Sequence, residues 1–188
     1  MKNHATPGKC AFAAVENRKP IHIKSILFCG RFMPELSERI DLVMAMAVVK
    51  AVCISEKKGT IKKPVPEISL RISHGVEGDA HAGDWHRQVS LLGIESVDKL
   101  RASFPDLPPG VFAENILTEG LTLYELPVGT RLRIGGALLE ITQIGKECHT
   151  ACEIRRKTGD CVMPREGVFA IVLEESRIRA GDAVEVVK

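Results

Sequence analysis

Aromatic residues are scarce in this chain: one Trp, one Tyr and six Phe make up 4% of its 188 residues. That is too few for a protein that stacks single-stranded nucleic acid on aromatic platforms. Charge of one sign is lacking as well. The 26 Lys/Arg against 24 Asp/Glu leave a net +2, which is no electrostatic footprint for nucleic acid or an anionic membrane. Long apolar runs are missing: the longest, Leu42 to Val49, is eight residues, where a membrane helix needs roughly 20. There is no internal repeat, no low-complexity tract and neither of the common Gly-rich phosphate loops. The chain is 45% hydrophobic and 27% charged, an ordinary globular composition, and its length suits one domain with an appendage.

What is present in quantity is cysteine, and its distribution is uneven. Six cysteines stand at positions 10, 29, 53, 148, 152 and 161. No secretory signal pattern precedes them, so a reducing cytoplasm is expected, with thiols kept for ligation or chemistry. Three of the six crowd into the stretch from Cys148 to Cys161, which looks like a site and not like a scattered disulfide framework.

The chain changes character near Met46. Residues 1–45 hold seven Lys/Arg against four Asp/Glu and show no sustained period. They are expected to be an extension, or an over-long start, with a helical cap as the alternative; residues 46–188 form the domain. From there the pattern reads mainly as strands. Ala47–Ile54 is apolar and β-branched, Ile68–Ile72 alternates, and Gln88–Leu92 reads as a buried strand. Pro64 and Pro66 demote their stretch to an edge or loop. Ile94–Ser103 carries apolar residues at 94, 97 and 100, which predicts a short amphipathic helix. Gly129–Ile134, the pair Gly135-Gly136 and Ala137–Ile144 predict a hairpin. Val168–Leu173 and Ala183–Val187 complete the set. Many short strands with few helices predict a mainly β fold, a closed or nearly closed β-barrel.

Three segments carry candidate chemistry. In Gly145–Gly167, Cys148, His149, Cys152 and Cys161 lie among Arg155, Arg156, Lys157 and Arg165. Neighbouring positive charge raises the thiolate fraction of a cysteine, and arginines suit an anionic group such as a phosphate. A structural zinc site from the three thiols and His149 is an alternative, as is plain core filling. The segment His74–Gln88 holds three His, two Asp, one Glu and three Gly. It predicts either a divalent-metal site or a substrate rim where glycines let backbone amides approach an anion. The third segment, Gly110–Thr118, sets Glu114 and Asn115 just before an apolar strand.

These pieces, in this order, resemble the MOSC domain, the module named for the C-terminal part of molybdenum cofactor sulfurases. The resemblance rests on His74-Gly-x-x-Gly-Asp-Ala-His81, Arg87-Gln-Val-Ser-Leu91, Gly110-x-x-x-Glu-Asn115, Gly145-x-x-Cys148 through Cys152, and Gly159–Gly167. It ends in Ile178-x-x-Gly-Asp-x-Val184 and spans about Met46 to Val187. It implies a MOSC-type β-barrel with a few short helices and a cysteine-centred site for the molybdenum–pterin cofactor. In relatives that reduce N-hydroxylated compounds a cysteine thiolate ligates molybdenum. Their pattern points here to Cys152, with Cys148 as the other candidate because the spacing is one residue longer.

The activity so implied is reduction of hydroxylaminopurines or amidoximes. The alternative is a non-catalytic carrier of the cofactor or of persulfide sulfur. In the first case Cys152 is the metal ligand, and Arg155, Arg156 and Arg165 grip the cofactor phosphate. Arg87 and His149 are further cofactor contacts, while His81, Arg87 and Asn115 line the substrate mouth. The partner is then a separate electron-donor reductase, or a molybdoenzyme acceptor in the carrier case, with neither nucleic acid nor membrane expected. Pyridoxal phosphate, which the full sulfurases bind on another domain, is not expected on this chain.

Overall fold

The computed structural model describes residues 46–147, 155–156 and 159–187. The expectations for residues 1–45, and those for Cys148, His149 and Cys152, therefore lie outside the described residues. β-Branched and apolar stretches form β1 (Val48–Ile54), β2 (Lys63–Val65), β3 (Glu67–Arg71), β4 (Gly75–Val76), β5 (Val89–Gly93) and β6 (Ile116–Glu119). After these come β7 (Arg131–Ile134), β8 (Ala137–Ile144), β9 (Val168–Glu174), β10 (Arg177–Arg179) and β11 (Val184–Val187). The helices are short: α1 (Ile94–Arg101) and α2 (Met163–Glu166). None of the described helices is long and apolar enough to cross a membrane.

Eight strands form one sheet in the order β11-β7-β8-β9-β5-β6-β1-β2, and β10-β3-β4 form a second. The expected mainly β fold is present, but the sheets do not close into a barrel. β11 and β2 remain the two ends of the large sheet. The sheet is strongly curled nonetheless, and the entry to β11 meets the start of β1. Val49 N donates to Asp182 O (2.8 Å), Gly181 N to Val49 O (2.8 Å) and Val184 N to Ala47 O (2.7 Å). Closure stops there because β2, only three residues long and holding Pro64, occupies the far side of β1. A proline has no N–H to continue a ladder, which confines it to an edge.

The hairpin over Gly135-Gly136 is as expected, with Ile134 opposite Ala137. All five residues of β5 are buried, because both of its faces are covered. One face belongs to the main core, which includes Leu91, Ile116, Leu139 and Val168. The other packs against a second apolar cluster that includes Leu92, Val97, Phe112, Met163 and Phe169. β5 and β6 run parallel, with Leu91 opposite Ile116, and α1 lies in the crossover between them. The helix places Glu95 in its first turn and Lys99 and Arg101 in its last, charges that suit its dipole. Each fully buried leucine here contributes about 1.5–3 kcal/mol through removal from water. The two clusters thus pin β5, β6 and β9 rigidly, and the candidate site is built at their ends.

Candidate functional site

A cavity of about 230 Å³ opens where the ends of β5, β6 and β9 meet the loop before β5. His81, Trp85 and Arg87 line it from that loop, Ser90 from β5, Ala113 and Asn115 from the turn before β6, and Phe169 from β9. Lys146 and Glu147, just after β8, and Met163 of α2 complete the wall. The turn is tight: Ala113 has a φ of 64°, a left-handed conformation that costs a non-glycine residue roughly 1–2 kcal/mol.

Arg87 and Lys146 are the cations on the described wall of this cavity, and Arg87 is the one set among aromatic rings. Its guanidinium carbon lies 4.7 Å from the Trp85 ring centroid and 5.7 Å from that of Phe169. Both rings present faces that attract a cation. Its Nε is buried and, among the described residues, has no hydrogen-bond partner. A buried charged donor without an acceptor is costly, so the atom is set for an incoming acceptor. Trp85 is held in turn by its Nε1, which donates to His81 O at 2.9 Å.

Behind His81 stands a buried ionic chain. Lys62, 1% exposed, donates its Nζ to Asp79 Oδ2. Asp79 Oδ2 also accepts from Ser55 N (3.0 Å), and Oδ1 accepts from His81 N (2.9 Å). Burial alone would raise the Asp79 carboxyl. The hydrogen bonds from His81 and Lys62, with the Lys62 charge, outweigh it and hold the group well below the usual carboxylate range. Burial pushes the Lys62 ammonium down, against the pull of Asp79 and Glu114. Glu114 is fully buried and accepts from Gly110 N (2.6 Å) and Phe112 N (3.1 Å). Loss of water pushes its carboxyl up to about 7 despite those bonds. Burial, with Glu114 nearby, also pushes the Cys53 thiol up to about 12, so Cys53 is an inert core thiol.

The MOSC domain model matches residues 77–185, more than half of the chain. The chain belongs to the MOSC domain family. That family is associated with the molybdenum cofactor. Among solved structures, YUAD from Bacillus subtilis superposes with a TM-score of 0.63 at 20% identity, over 75% of this chain and 96% of that one. YiiM from Geobacillus stearothermophilus gives 0.59 at 19% identity, over 76% and 75% respectively. YiiM from Escherichia coli gives 0.54 at 21% identity, over 75% and 70%. At these identities the likeness shows the fold. No curated protein sequence matches the chain.

Within this MOSC domain the structure sorts the expected site residues. His81 and Arg87, from one loop, and Asn115, from the turn before β6, line one cavity. Asn115 spends its carboxamide on the scaffold: Nδ2 donates to Cys53 O (3.1 Å), and Oδ1 accepts from Ser90 N (3.2 Å) and Ser90 Oγ (2.9 Å). Arg155 and Arg156 are exposed. Arg165 pairs with Asp160 at 3.0 Å. None of these three arginines is among the described residues lining the cavity. Cys161 is 7% exposed and packs in the second apolar cluster.

The metal-site alternative for His74–Gln88 is not supported, because no group of three or more His, Cys, Asp or Glu converges among the described residues. Ion pairs and a hydrogen bond take up three of the candidate ligands separately. Glu77 pairs with Arg71, Asp79 with Lys62, and His86 Nε2 with Gln143 Oε1 at 3.0 Å. Phe169, Lys146 and Glu147 on the cavity wall, and Lys62 behind it, were not legible from the sequence. Lys62 stands in Ile-Lys-Lys-Pro, which has the composition of a solvated loop.

The rim is held by a close backbone approach. Gly145 has a φ of 69°, and a Cβ there would lie 2.5 Å from Pro164 O. Gly145 N donates to Gly167 O (2.7 Å) and Lys146 N to Pro164 O (3.2 Å). This clamps the end of β8 to α2 and sets Lys146 and Glu147 on the cavity wall. Among the described residues, the cavity alone is smaller than whole-ligand pockets of roughly 300–1,000 Å³. It fits one anionic end of a cofactor, and the unpartnered Arg87 Nε fits such a group chemically.

Proposed function

We propose that this MOSC protein binds the molybdenum–pterin cofactor and reduces N-hydroxylated compounds such as hydroxylaminopurines and amidoximes. The observation that carries the reading is the cavity itself. It brings the rim residues His81 and Arg87 together with Lys146, Glu147 and Met163, which flank in sequence the segment bearing Cys148 and Cys152. A thiolate from that segment, Cys152 by preference, would complete the metal's coordination. The cofactor, when bound, supplies the two-electron redox step. The balance is R–NH–OH plus two electrons and two protons giving R–NH₂ and water, with a separate reductase as the electron donor.

The chain's own residues have definable tasks. Arg87 holds an anionic group through its unpartnered Nε, fixed between Trp85 and Phe169. His81 exchanges a proton with the departing oxygen. Trp85 and Phe169 exclude water beside the reacting group. Arg155 and Arg156 are exposed toward solvent, and Arg165 would reach the cofactor's phosphate only by leaving Asp160.

The test is molybdenum content of protein from a cofactor-producing host, with reduction of a hydroxylaminopurine. Trp85, the single tryptophan, reports cofactor entry by fluorescence without any turnover. Near-stoichiometric molybdenum that is lost in Cys152→Ser, with quenching weakened about tenfold in Arg87→Ala, is the expected result. Metal without reduction establishes the carrier activity instead. Zinc in place of molybdenum, or full metal in both Cys152→Ser and Cys148→Ser, overturns the proposal.

A further inference from the structure

The buried Lys62–Asp79 pair is out of keeping with a β protein of ordinary composition. Neither partner touches the cavity, and both are 1% exposed along the side chain. A buried ion pair is often no more stabilising than apolar packing of similar volume, so its retention asks for a reason. Asp79 leads directly to the cavity. Its Oδ1 is bonded to the His81 amide and lies 3.4 Å from His81 Nδ1. Nδ1 itself is buried and, among the described residues, makes no hydrogen bond, so Asp79 Oδ1 is the acceptor placed beside it. The imidazole is 28% exposed, so its accessible edge is the one carrying Nε2.

We infer that Asp79 and Lys62 are positioning residues for His81, fixing the tautomer that carries its proton on Nδ1 and leaves Nε2 as the proton-exchanging atom of the cavity. The inference rests on the reading of His81 as a cavity acid–base group. Lys62 keeps Asp79 ionised, and an ionised Asp79 beside Nδ1 prefers an N–H there over a lone pair. Nε2 then takes a proton from water and passes it to the oxygen leaving the substrate, returning the ring to its neutral Nδ1–H form. One of the two protons in the balance above travels this way. The other charged groups facing the ring across the cavity are Arg87, Lys146 and Glu147. Among the described residues none of them hydrogen-bonds Nδ1, so the choice of tautomer falls to Asp79.

The tautomer is read directly, on the full chain and without cofactor, by two-bond proton–nitrogen correlations in ¹⁵N-labelled protein above the ring's titration. An Nδ1–H tautomer for His81 in the wild type is expected. In Asp79→Asn the carboxamide can donate to Nδ1, and the ring is expected to switch to Nε2–H, as a carboxylate-to-amide change does in a catalytic Asp–His pair. Asp79→Glu should restore Nδ1–H. An Nε2–H tautomer in the wild type overturns the inference, and so does an unchanged tautomer in folded Asp79→Asn. If Asp79→Asn fails to fold, Lys62→Met/Asp79→Asn, which buries no lone charge, carries the same readout. Because no molybdenum enters this measurement, its outcome is separate from that of the metal-retention test.

Discussion

Raising the pH across the neutral range should destabilise this protein, and the group responsible is Glu114. Its carboxyl is pushed from an ordinary 4.5 to about 7 by burial. A group whose proton is held more tightly in the folded chain favours folding below its unfolded value. That advantage is lost as the pH rises through the folded one. At about 1.4 kcal/mol for each tenfold change in proton affinity, the full loss comes to about 3 kcal/mol. Roughly 2–3 kcal/mol of it falls between pH 5 and pH 8. With a urea dependence of about 1–3 kcal/mol per molar, the unfolding midpoint should drop by about 1 M or more. The neighbours act elsewhere. Asp79 is held low, so its contribution is lost only in stronger acid. Lys62 is pushed down from 10.5, so its effect lies below 10.5 and has the opposite sign, a rise in stability with pH. Glu114→Gln supplies the control. Its amide would face the Gly110 and Phe112 N–H groups and lower stability at every pH, but the slope between pH 5 and pH 7 should vanish. A midpoint that stays flat or rises in the wild type refutes the reasoning, and so does a fall that persists in Glu114→Gln.

Other perturbations address the scaffold. Gly145→Ala should cost about 2–4 kcal/mol, since the left-handed backbone and the Pro164 contact both oppose a Cβ; an unchanged melting temperature would refute the clamp. Lys62→Met should cost about 3–5 kcal/mol by stranding Asp79, and Lys62→Met/Asp79→Asn should recover much of it in urea titrations. A double variant no more stable than the single would show that the pair does not act as a unit.

The family of this chain was legible from short ordered motifs, and so was its mainly β character. Alternation in Arg131–Ile134 and the Gly135-Gly136 turn predicted a hairpin, and it is present, because both signals are local. Gln88–Leu92, with only Gln88 and Ser90 polar, was rightly read as a buried strand, which runs Val89–Gly93. The curled but open sheet was not legible. It depends on which strand occupies each edge, and the expected barrel gives way to an eight-stranded sheet ending in the proline-bearing β2. The rim segment His74–Gln88 was recognised as polar and site-like, but its choice between metal and rim was open. Partners outside the segment bear on it: Arg71 of the adjacent β3, Lys62 from the preceding loop and Gln143 of β8 each take one of its groups.

The sequence alone determined strand-forming stretches, turns, the family motifs and the candidate identities of His81, Arg87 and Asn115. Tertiary structure alone decided that Arg87 is a caged cation with a donor to spare, and that Asn115 is largely a strut between strands. It also turned Lys62, anonymous in a run of lysines, into the buried counter-charge of Asp79. The physical reason is the same in each case. Periodicity and turn chemistry act over a few neighbouring residues, whereas desolvation and hydrogen-bond partnership depend on which remote segments fill the surrounding space.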